Sequence, residues 1–165
     1  MNTNSQISDT EPDWSREYKK IMSWDPSRSL LASIRTYQKY NNKPIFIIFK
    51  RIAVLKHRFW SIVTGADIPI NSKIGGGLLL PHLNGVVIYP DAVIGPNCVI
   101  FQQVTIGTVE GSRQPIIEGH VDIGAGAKIL GSIHIGAHAK IGANAVLLIN
   151  VPAGKTAVGI PAKIK

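Results

Sequence analysis

The sequence has little of what defines several common classes of protein. Cys98 is the single cysteine among 165 residues, which excludes an internal disulfide bond. Charged residues make up 17% of the chain, below the roughly one quarter that is typical of soluble domains. The longest apolar stretch, residues 44–63, is interrupted by five basic residues and is too charged for a simple membrane span. Disulfide-rich and membrane-spanning folds are therefore not expected.

The chain is basic, but its charges form no recognisable binding motif. The formal net charge is +8, which would attract anionic partners. No run of five like charges, zinc-finger spacing or RNA-binding aromatic motif is present, so no nucleic acid partner is expected. The histidines lack metal-ligand spacing, and no metal is expected. The polar N-terminus has no signal-peptide pattern, which predicts a cytoplasmic protein, at most peripheral at the inner face of the membrane.

Three segments follow one another along the chain. Residues 1–12 are polar and are predicted to form a disordered tail. Residues 13–64 are predicted to be helical, with an N-cap near Asp25 or Ser27 and a second helix from near Pro44. The second helix, within residues 44–63, has an amphipathic face with basic residues. This face is predicted to pack on the protein or a partner subunit, or alternatively to contact a membrane surface.

From residue 65 onward the sequence has a period of six, which is typical of neither an α-helix nor a strand hairpin. Aliphatic residues recur in three registers, and glycine follows many of them. A six-residue period indicates a parallel β-helix in which each repeat forms one short face around an apolar interior. The recurring residues are Ile68, Ile74, Leu80, Val86; Ile88, Ile94, Ile100, Ile106; and Ile117, Ile123, Ile129, Ile135, Ile141, Leu147.

Small residues and two breaks complete the repeat pattern. A small residue often lies four positions after the aliphatic one, and Cys98 is predicted to fill such a position. The register slips by two residues between Val86 and Ile88, and residues 107–115 interrupt the repeat with glycine and polar side chains. Because loops on a rigid scaffold often carry function, these two breaks are the expected places for a site.

His82 lies just before the first register break, within a group of motifs that resembles a known family. The pattern Asp67-Ile68…His82-x-x-Gly85-Val86-Val87-Ile88 is similar to serine acetyltransferases and their relatives, including bacterial polysaccharide O-acetyltransferases. The segments 104–107, 124–131 and 158–163 resemble the same family. The resemblance covers about residues 64–165, and it implies a left-handed parallel β-helix, mainly β, with a short N-terminal helical segment.

The resemblance implies that His82 is the catalytic base and Asp67 the carboxylate that orients it. The chemistry agrees, because an alcohol needs a base to take its proton as it attacks a thioester. The imidazole titrates in a suitable range, and a carboxylate on its second nitrogen would hold the tautomer. The fifteen-residue separation is close to one turn of the predicted β-helix, so the two side chains are expected to meet on adjacent coils.

The resemblance also implies acetyl-CoA as the co-substrate, bound along the β-helix between neighbouring subunits of a homotrimer. Gly107 and Thr108 would line the pantetheine end, and Ala125 and Ala143 would lie along the pantetheine arm. Lys140 would approach the nucleotide phosphates, since an ammonium group is a suitable partner for phosphate.

The chain departs from serine acetyltransferases at two positions near the expected acceptor site. They have aspartate immediately before the catalytic histidine, where this chain has Pro81, and Arg-His-Pro in the loop, where this chain has Arg113-Gln114-Pro115. Proline cannot provide the counter-charge that the ammonium group of an amino acid needs. Asn84, Gln114 and Arg113 are therefore predicted to hold an acceptor, and the amides suit a neutral sugar hydroxyl. Arg113 would bind an anionic group of such a sugar or, alternatively, brace the loop.

These observations predict an acetyl-CoA-dependent O-acetyltransferase that acts on a bacterial surface polysaccharide or its saccharide precursor. The alternative is a serine O-acetyltransferase with an altered pocket. A third interpretation is a non-catalytic scaffold, against which the presence of both Asp67 and His82 argues.

Overall fold

The computed structural model describes residues 7–20, 23–41 and 44–165, and two α-helices precede the β-helix. Helix α1 is Pro26–Tyr40 and α2 is Ile47–Thr64, and short 3-10 turns occupy Trp14–Glu17 and Pro44–Phe46. The predicted cap is confirmed at Asp25, whose side chain accepts a hydrogen bond from the Arg28 amide at 3.0 Å. Within the described residues, no helix has both the length and the apolar character needed to cross a bilayer.

The described residues form thirteen short strands in three sheets, which are the three faces of a parallel β-helix. Face 1 contains β2, β5, β8 and β11; face 2 contains β1, β3, β6 and β9; face 3 contains β4, β7, β10, β12 and β13. Pairing is parallel throughout, except between β12 and β13. The strands are Lys73–Ile74, Val87–Ile88, Val93–Ile94, Val99–Ile100, Thr105–Gly107, Ile116–Ile117, Asp122–Ile123, Lys128–Leu130, His134–Ile135, Lys140–Ile141, Val146–Leu147, Thr156–Val158 and Lys163–Ile164.

Three stacks of turns, or corners, join the faces. The first corner, between faces 1 and 2, contains turns at 70–71 and 90–91 and the loop 108–115. The second corner, between faces 2 and 3, contains turns at 76–77, 96–97, 119–120, 137–138 and 153–154. The third corner, between faces 3 and 1, contains turns at 84–85, 102–103, 125–126 and 143–144.

The core is the column of aliphatic side chains that the six-residue period predicts. All fourteen residues of the three registers are buried, from Ile68 to Leu147. Each contributes about 1.5–3 kcal/mol through burial of its apolar surface. Cys98 fills a small-residue position and is fully buried, and burial raises the pKa of its thiol to about 11, so it is a packing residue rather than a nucleophile.

Two coils contain extra residues, as the two register breaks predict, but the first break lies before the predicted slip between Val86 and Ile88. A regular coil takes 18 residues, as from Val87 to its partner Thr105. The first coil takes 20, because Asp67 pairs with Val87, and the additional residues lie between Leu80 and Asn84. A later coil takes 23, from Thr105 to Lys128, because it contains the loop 108–115. The first break therefore places His82 in a bulge just before the third corner.

Residues 8–17, here called the strap, run along the second corner instead of extending into solvent. Asn97, fully buried in that corner, holds the strap with three bonds. Its Oδ1 accepts from the Asp13 amide at 2.8 Å, and its Nδ2 donates to the carbonyls of Ser8 and Glu11 at 2.7 and 2.8 Å. Residues 7–12 thus differ from the predicted disordered tail, because backbone groups of this segment bond to the β-helix; residues 1–6 lie outside the described residues.

Replacing Asn97 by alanine should lower the free energy of unfolding by about 2–4 kcal/mol, because three hydrogen bonds to the strap disappear. Denaturant unfolding would measure the change. The matched control is Asn144→Ala, since Asn144 has a similar left-handed φ of 56° at an exposed turn that the strap does not touch. The control should cost only about 1 kcal/mol, from the backbone preference alone. Equal losses in both variants would show that the strap contributes no stability.

Candidate active site

His82 is presented to solvent by the bulge at the end of face 3. The buried side chains of Leu80 and Leu83 anchor the backbone on either side of it. The two extra residues of the first coil lift Pro81 and His82 out of the regular turn, and both are exposed. An imidazole held in this way can reach a bound molecule at the surface without distortion of the core.

Asp67 lies on face 1, across the third corner from His82. Its backbone pairs with Val87, while Gly65 contacts Gly85 through a backbone hydrogen bond of 3.2 Å. Within the described part of the chain, no hydrogen bond or ion pair joins the Asp67 carboxylate to the His82 imidazole. The expected meeting on adjacent coils does not occur in the single chain, because the first coil takes 20 residues and brings Val87 beside Asp67.

The imidazole that lies near Asp67 is that of His57, on α2. Its Nε2 is 2.8 Å from the Ile68 carbonyl, so the neutral ring donates there. Burial lowers the pKa of His57, and this effect exceeds the opposing influences of the Ile68 carbonyl and the Asp67 carboxylate. His57 is therefore a neutral link between α2 and the first coil.

A cavity of about 300 Å³, here called the acceptor pocket, lies directly beside Pro81. One wall is face 3, from Leu78 to Pro81, and the other is the start of α1 with part of the strap. The second wall carries charge of both signs, from Asp25, Arg16 and Arg28. Pro81 directly precedes His82 in the chain, so the pocket ends one residue before the predicted base.

Hydrogen bonds hold the charged groups of the acceptor pocket in place. The Asp25 carboxylate accepts from the Arg28 amide and from Arg28 Nη1 at 2.8 Å. Arg28 Nε donates to the Arg16 carbonyl at 3.1 Å, and Arg16 Nη1 donates to the Asn97 carbonyl at 2.6 Å. A carboxylate has about four acceptor positions, so Asp25 retains capacity for a ligand, and both guanidinium groups retain free N–H donors.

A groove of about 360 Å³ follows the third corner below the His82 bulge. It contains two of the predicted cofactor-binding residues, Ala125 and Ala143. Lys128 also lines it, and its Nζ donates to the Gln103 carbonyl at 2.7 Å and to Thr105 Oγ1 at 3.1 Å. Small side chains on successive turns leave room for an extended molecule along the corner.

The groove has the chemical groups that a pantetheine arm needs. Gln102 Oε1 is buried in its wall and has no hydrogen-bond partner among the described residues. A buried acceptor without a partner is costly, and an amide N–H of a ligand would satisfy it. The Lys128 ammonium adds a cation for a phosphate. The residues present therefore fit CoA.

The structure does not bring the other predicted binding residues into this groove. Gly107 and Thr108 lie at the opposite edge of face 1, where the loop 108–115 leaves the first corner. Arg113 and Gln114 belong to that loop, and the Arg113 amide donates to Ser132 Oγ at 2.6 Å. Lys140 is exposed on face 3, three residues before Ala143.

Asn84 is the one predicted acceptor residue that lies near His82. It is exposed in the third corner, two positions after the histidine, and Gln103 Nε2 donates to its Oδ1 at 3.5 Å. Arg113 and Gln114 are separated from it by the width of face 1. In a single chain the predicted acceptor residues are thus divided between the first and third corners.

Sequence reasoning missed the charged wall of the acceptor pocket and most of the groove. Asp25 was predicted only as a helix cap, and Gln102 and Lys128 had no predicted role. More than fifty residues separate Asp25 from Pro81, and no local pattern connects them. The only available signal was the Asp-Pro start of α1, which has an ordinary capping explanation.

The chain matches no protein-family model, but it is similar to curated proteins along most of its length. It is 37% identical to the serine acetyltransferase of Staphylococcus aureus over 164 residues, which covers 90% of this chain and 75% of that protein. It is 42% identical to the serine acetyltransferase of Synechococcus elongatus over 106 residues, which covers 62% of this chain but 43% of that protein.

Solved structures show the same relationship. A serine acetyltransferase in complex with CoA has a TM-score of 0.72 and 37% identity, covering 86% of this chain and 58% of that chain. The Neisseria gonorrhoeae serine acetyltransferase in complex with serine has a TM-score of 0.73 and 33% identity. This match covers 93% of this chain and 66% of that chain. This chain therefore spans less than two thirds of either structure.

The comparisons confirm the predicted left-handed parallel β-helix and the predicted class, acetyl-CoA-dependent acyltransferases. The predicted saccharide acceptor is wrong, because these relatives at 37–42% identity are serine acetyltransferases. The prediction failed because Pro81 was taken to leave the acceptor side without a negative charge, whereas Asp25 lines the pocket beside it. By sequence and by fold, the chain belongs to the serine acetyltransferase family.

Proposed function

We propose that the protein is a serine O-acetyltransferase, which transfers the acetyl group of acetyl-CoA to the hydroxyl group of L-serine. The observation that carries this proposal is the acceptor pocket, in which fixed charges of both signs lie beside Pro81, the residue that precedes His82. A zwitterionic amino acid needs an anion for its ammonium group and a cation for its carboxylate. The pocket has both, and the serine complex of the N. gonorrhoeae relative is consistent with this use.

Asp25 and the two arginines would orient the serine. The Asp25 carboxylate would accept from the ammonium group, and Arg16 or Arg28 would donate to the carboxylate of serine. The bonds within the pocket hold these groups before the ligand arrives, so little ordering is left for binding. In this arrangement the serine hydroxyl would point toward His82, which follows the pocket residue Pro81.

His82 would take the proton of the serine hydroxyl as its oxygen attacks the carbonyl carbon of the thioester. The new ester bond forms, the carbon–sulfur bond breaks, and the proton held on the imidazole returns to the departing thiolate. General base catalysis of this kind contributes about 10²–10⁴-fold to a rate. Asp67 stays the predicted orienting carboxylate for His82, although the single chain does not join the two side chains.

The co-substrate would lie in the groove at the third corner. Gln102 Oε1 would accept from an amide of the pantetheine arm, beside the small side chains of Ala125 and Ala143. Lys128 would meet a phosphate from within the groove, and Lys140 stays a predicted phosphate contact from face 3. The thioester end would then be near the His82 bulge, which is in the same corner.

We also propose a homotrimer, because the predicted site residues of one chain lie at two different corners. The first corner of one copy would meet the third corner of a neighbouring copy and complete the groove of that neighbour. The first-corner residues that would do so are Gly107, Thr108, Arg113 and Gln114. A contact between unlike surfaces closes into a ring when the rotation permits, and three copies suit a triangular coil. Light scattering that gives the mass of one chain would contradict this assembly.

The experiment that tests the function measures thiol release from acetyl-CoA with L-serine as acceptor. We expect release with L-serine and none with L-alanine, which has the same charges but no hydroxyl group. Release with saccharides and not with serine would overturn the proposal. CoA binding without release for any acceptor would favour a non-catalytic scaffold instead.

A further inference from the structure

Helix α2 has an apolar stripe on its outer side that none of the described residues covers. Five apolar residues follow one another at alternating spacings of four and three, which places them on one side of the helix. They are Ile48, Ile52, Leu55, Phe59 and Ile62. All five are exposed, with 66% of Leu55 and 83% of Ile62 accessible. Among the described side chains of α2, only Ala53 and Thr64 are buried. The helix therefore uses little of its apolar surface to attach to the protein.

Basic residues border this stripe on both sides. At 100° per residue, Arg51 and Arg58 lie along one edge and Lys56 along the other. From Pro26 to Ala66 the sequence contains eight lysines and arginines and no aspartate or glutamate. This segment accounts for the whole formal net charge of +8, since acidic and basic residues balance in the rest of the chain.

Aromatic side chains cluster at both ends of α2. Near its start, the ring centroids of Tyr40 and Phe49 are 5.3 Å apart. Near its end, Trp60 lies 5.5 Å from Trp24 and 5.0 Å from Phe59, and Trp24 is largely exposed. Tryptophan and tyrosine favour the boundary between lipid and water, where an apolar ring and a polar group are both accommodated.

The basic residues beside the stripe favour a lipid surface over a second copy of the chain as the partner of α2. Packing of two stripes against each other would bring Arg51, Lys56 and Arg58 of each copy to the seam, and neither helix has a carboxylate to pair with them. An anionic bilayer offers both partners that the surface needs, an apolar layer for the stripe and negative headgroups for its borders. Nucleic acid would leave the apolar stripe in water.

We propose that α2 lies in the plane of an anionic membrane surface, with its apolar stripe inserted among the lipids and its basic borders at the headgroups. Contact through a single helix face would make the association peripheral. The stripe is separate from the acceptor pocket and the groove, so binding to lipid and acetyl transfer are tested independently.

The experiment measures co-sedimentation of the whole protein with vesicles. We expect binding to mixed phosphatidylcholine and phosphatidylglycerol vesicles, weaker binding at high salt, and little binding to phosphatidylcholine alone. The double variant Leu55→Gln/Ile62→Gln should reduce the partition coefficient at least about tenfold, since both side chains would leave the lipid. The variant Arg51→Gln/Arg58→Gln should reduce it by about tenfold on the mixed vesicles.

Matched controls change equally exposed residues on the β-helix. Ile160→Gln removes an apolar side chain that is 74% accessible, and Lys155→Gln/Lys163→Gln removes two exposed charges. Both should leave vesicle binding unchanged. Equal binding to neutral vesicles, or no loss in the α2 variants, would overturn the proposal. So would light scattering in which Leu55→Gln/Ile62→Gln lowers the mass of the assembly, because the stripe would then join copies of the chain.

Discussion

Replacing His82 by alanine should lower kcat by about 10²–10⁴-fold, the usual contribution of a general base. The affinity for CoA should stay within about twofold of the wild-type value, because the groove at the third corner lies outside the changed side chain. Steady-state thiol release gives kcat, and calorimetric titration with CoA gives the affinity. Folding should be unaffected, since His82 is exposed and the buried neighbours Leu80 and Leu83 remain.

The control for this variant is His134→Ala. His134 is also an exposed histidine, on face 2, where its Nε2 lies 3.0 Å from Glu118 Oε1. Its loss should leave kcat within about twofold of wild type, as for most surface substitutions away from a site. If His82→Ala reduces CoA affinity as strongly as turnover, His82 is a structural residue and the proposed mechanism is wrong.

Replacing Asp25 by asparagine should raise the KM for L-serine by about 10–100-fold, because a hydrogen bond to a charged group is worth about 1.5–3 kcal/mol. Asparagine caps a helix as well as aspartate does, so α1 should remain intact. The KM for acetyl-CoA should not change, because Asp25 lines the acceptor pocket and not the groove. Initial rates measured with each substrate varied in turn would separate the two constants.

Glu118→Gln is the matched control for the lost negative charge. Glu118 follows the face 2 strand Ile116–Ile117, away from the two corners that the proposed trimer joins, and its Oε1 lies 3.0 Å from His134 Nε2 in a contact that is open to solvent. This substitution should leave the KM for serine unchanged, because solvent and salt screen a distant surface charge. An Asp25→Asn enzyme with an unaltered KM for serine would show that the ammonium group is held elsewhere.

The β-helix was predictable because one local pattern, an aliphatic residue at every sixth position, repeats along the chain. Each aliphatic position, such as Ile100 or Ile129, faces the interior for the same reason as the one six residues earlier. The existence of two register breaks was predictable for the same reason, since an interruption stands out against a regular pattern, but the first break lies a few residues earlier than predicted. The cap of α1 at Asp25 also follows from local chemistry, because the residue precedes proline at the start of an apolar-periodic segment.

The candidate site was less predictable because it combines segments that are distant in sequence. The position of His82 in the first bulge follows from the repeat, but the opposite wall of the acceptor pocket comes from α1 and the strap. The prediction of a saccharide acceptor was wrong because it did not include this opposite wall of the pocket. Pro81 was treated as an uncompensated loss of charge, and only the packing of α1 on face 3 places the Asp25 carboxylate beside it.

The strap has a consequence for how the β-helix unfolds. Coils of such a stack ordinarily contact only their neighbours, so the ends can fray while the middle stays intact. Here the strap reaches several coils in succession: Asp9 lies against Gly119, Asn97 holds Ser8 and Asp13, and Glu17 accepts from the Leu78 amide at 3.1 Å. Separating any of these coils breaks contacts of one continuous segment, which makes the stack a single cooperative unit along the second corner.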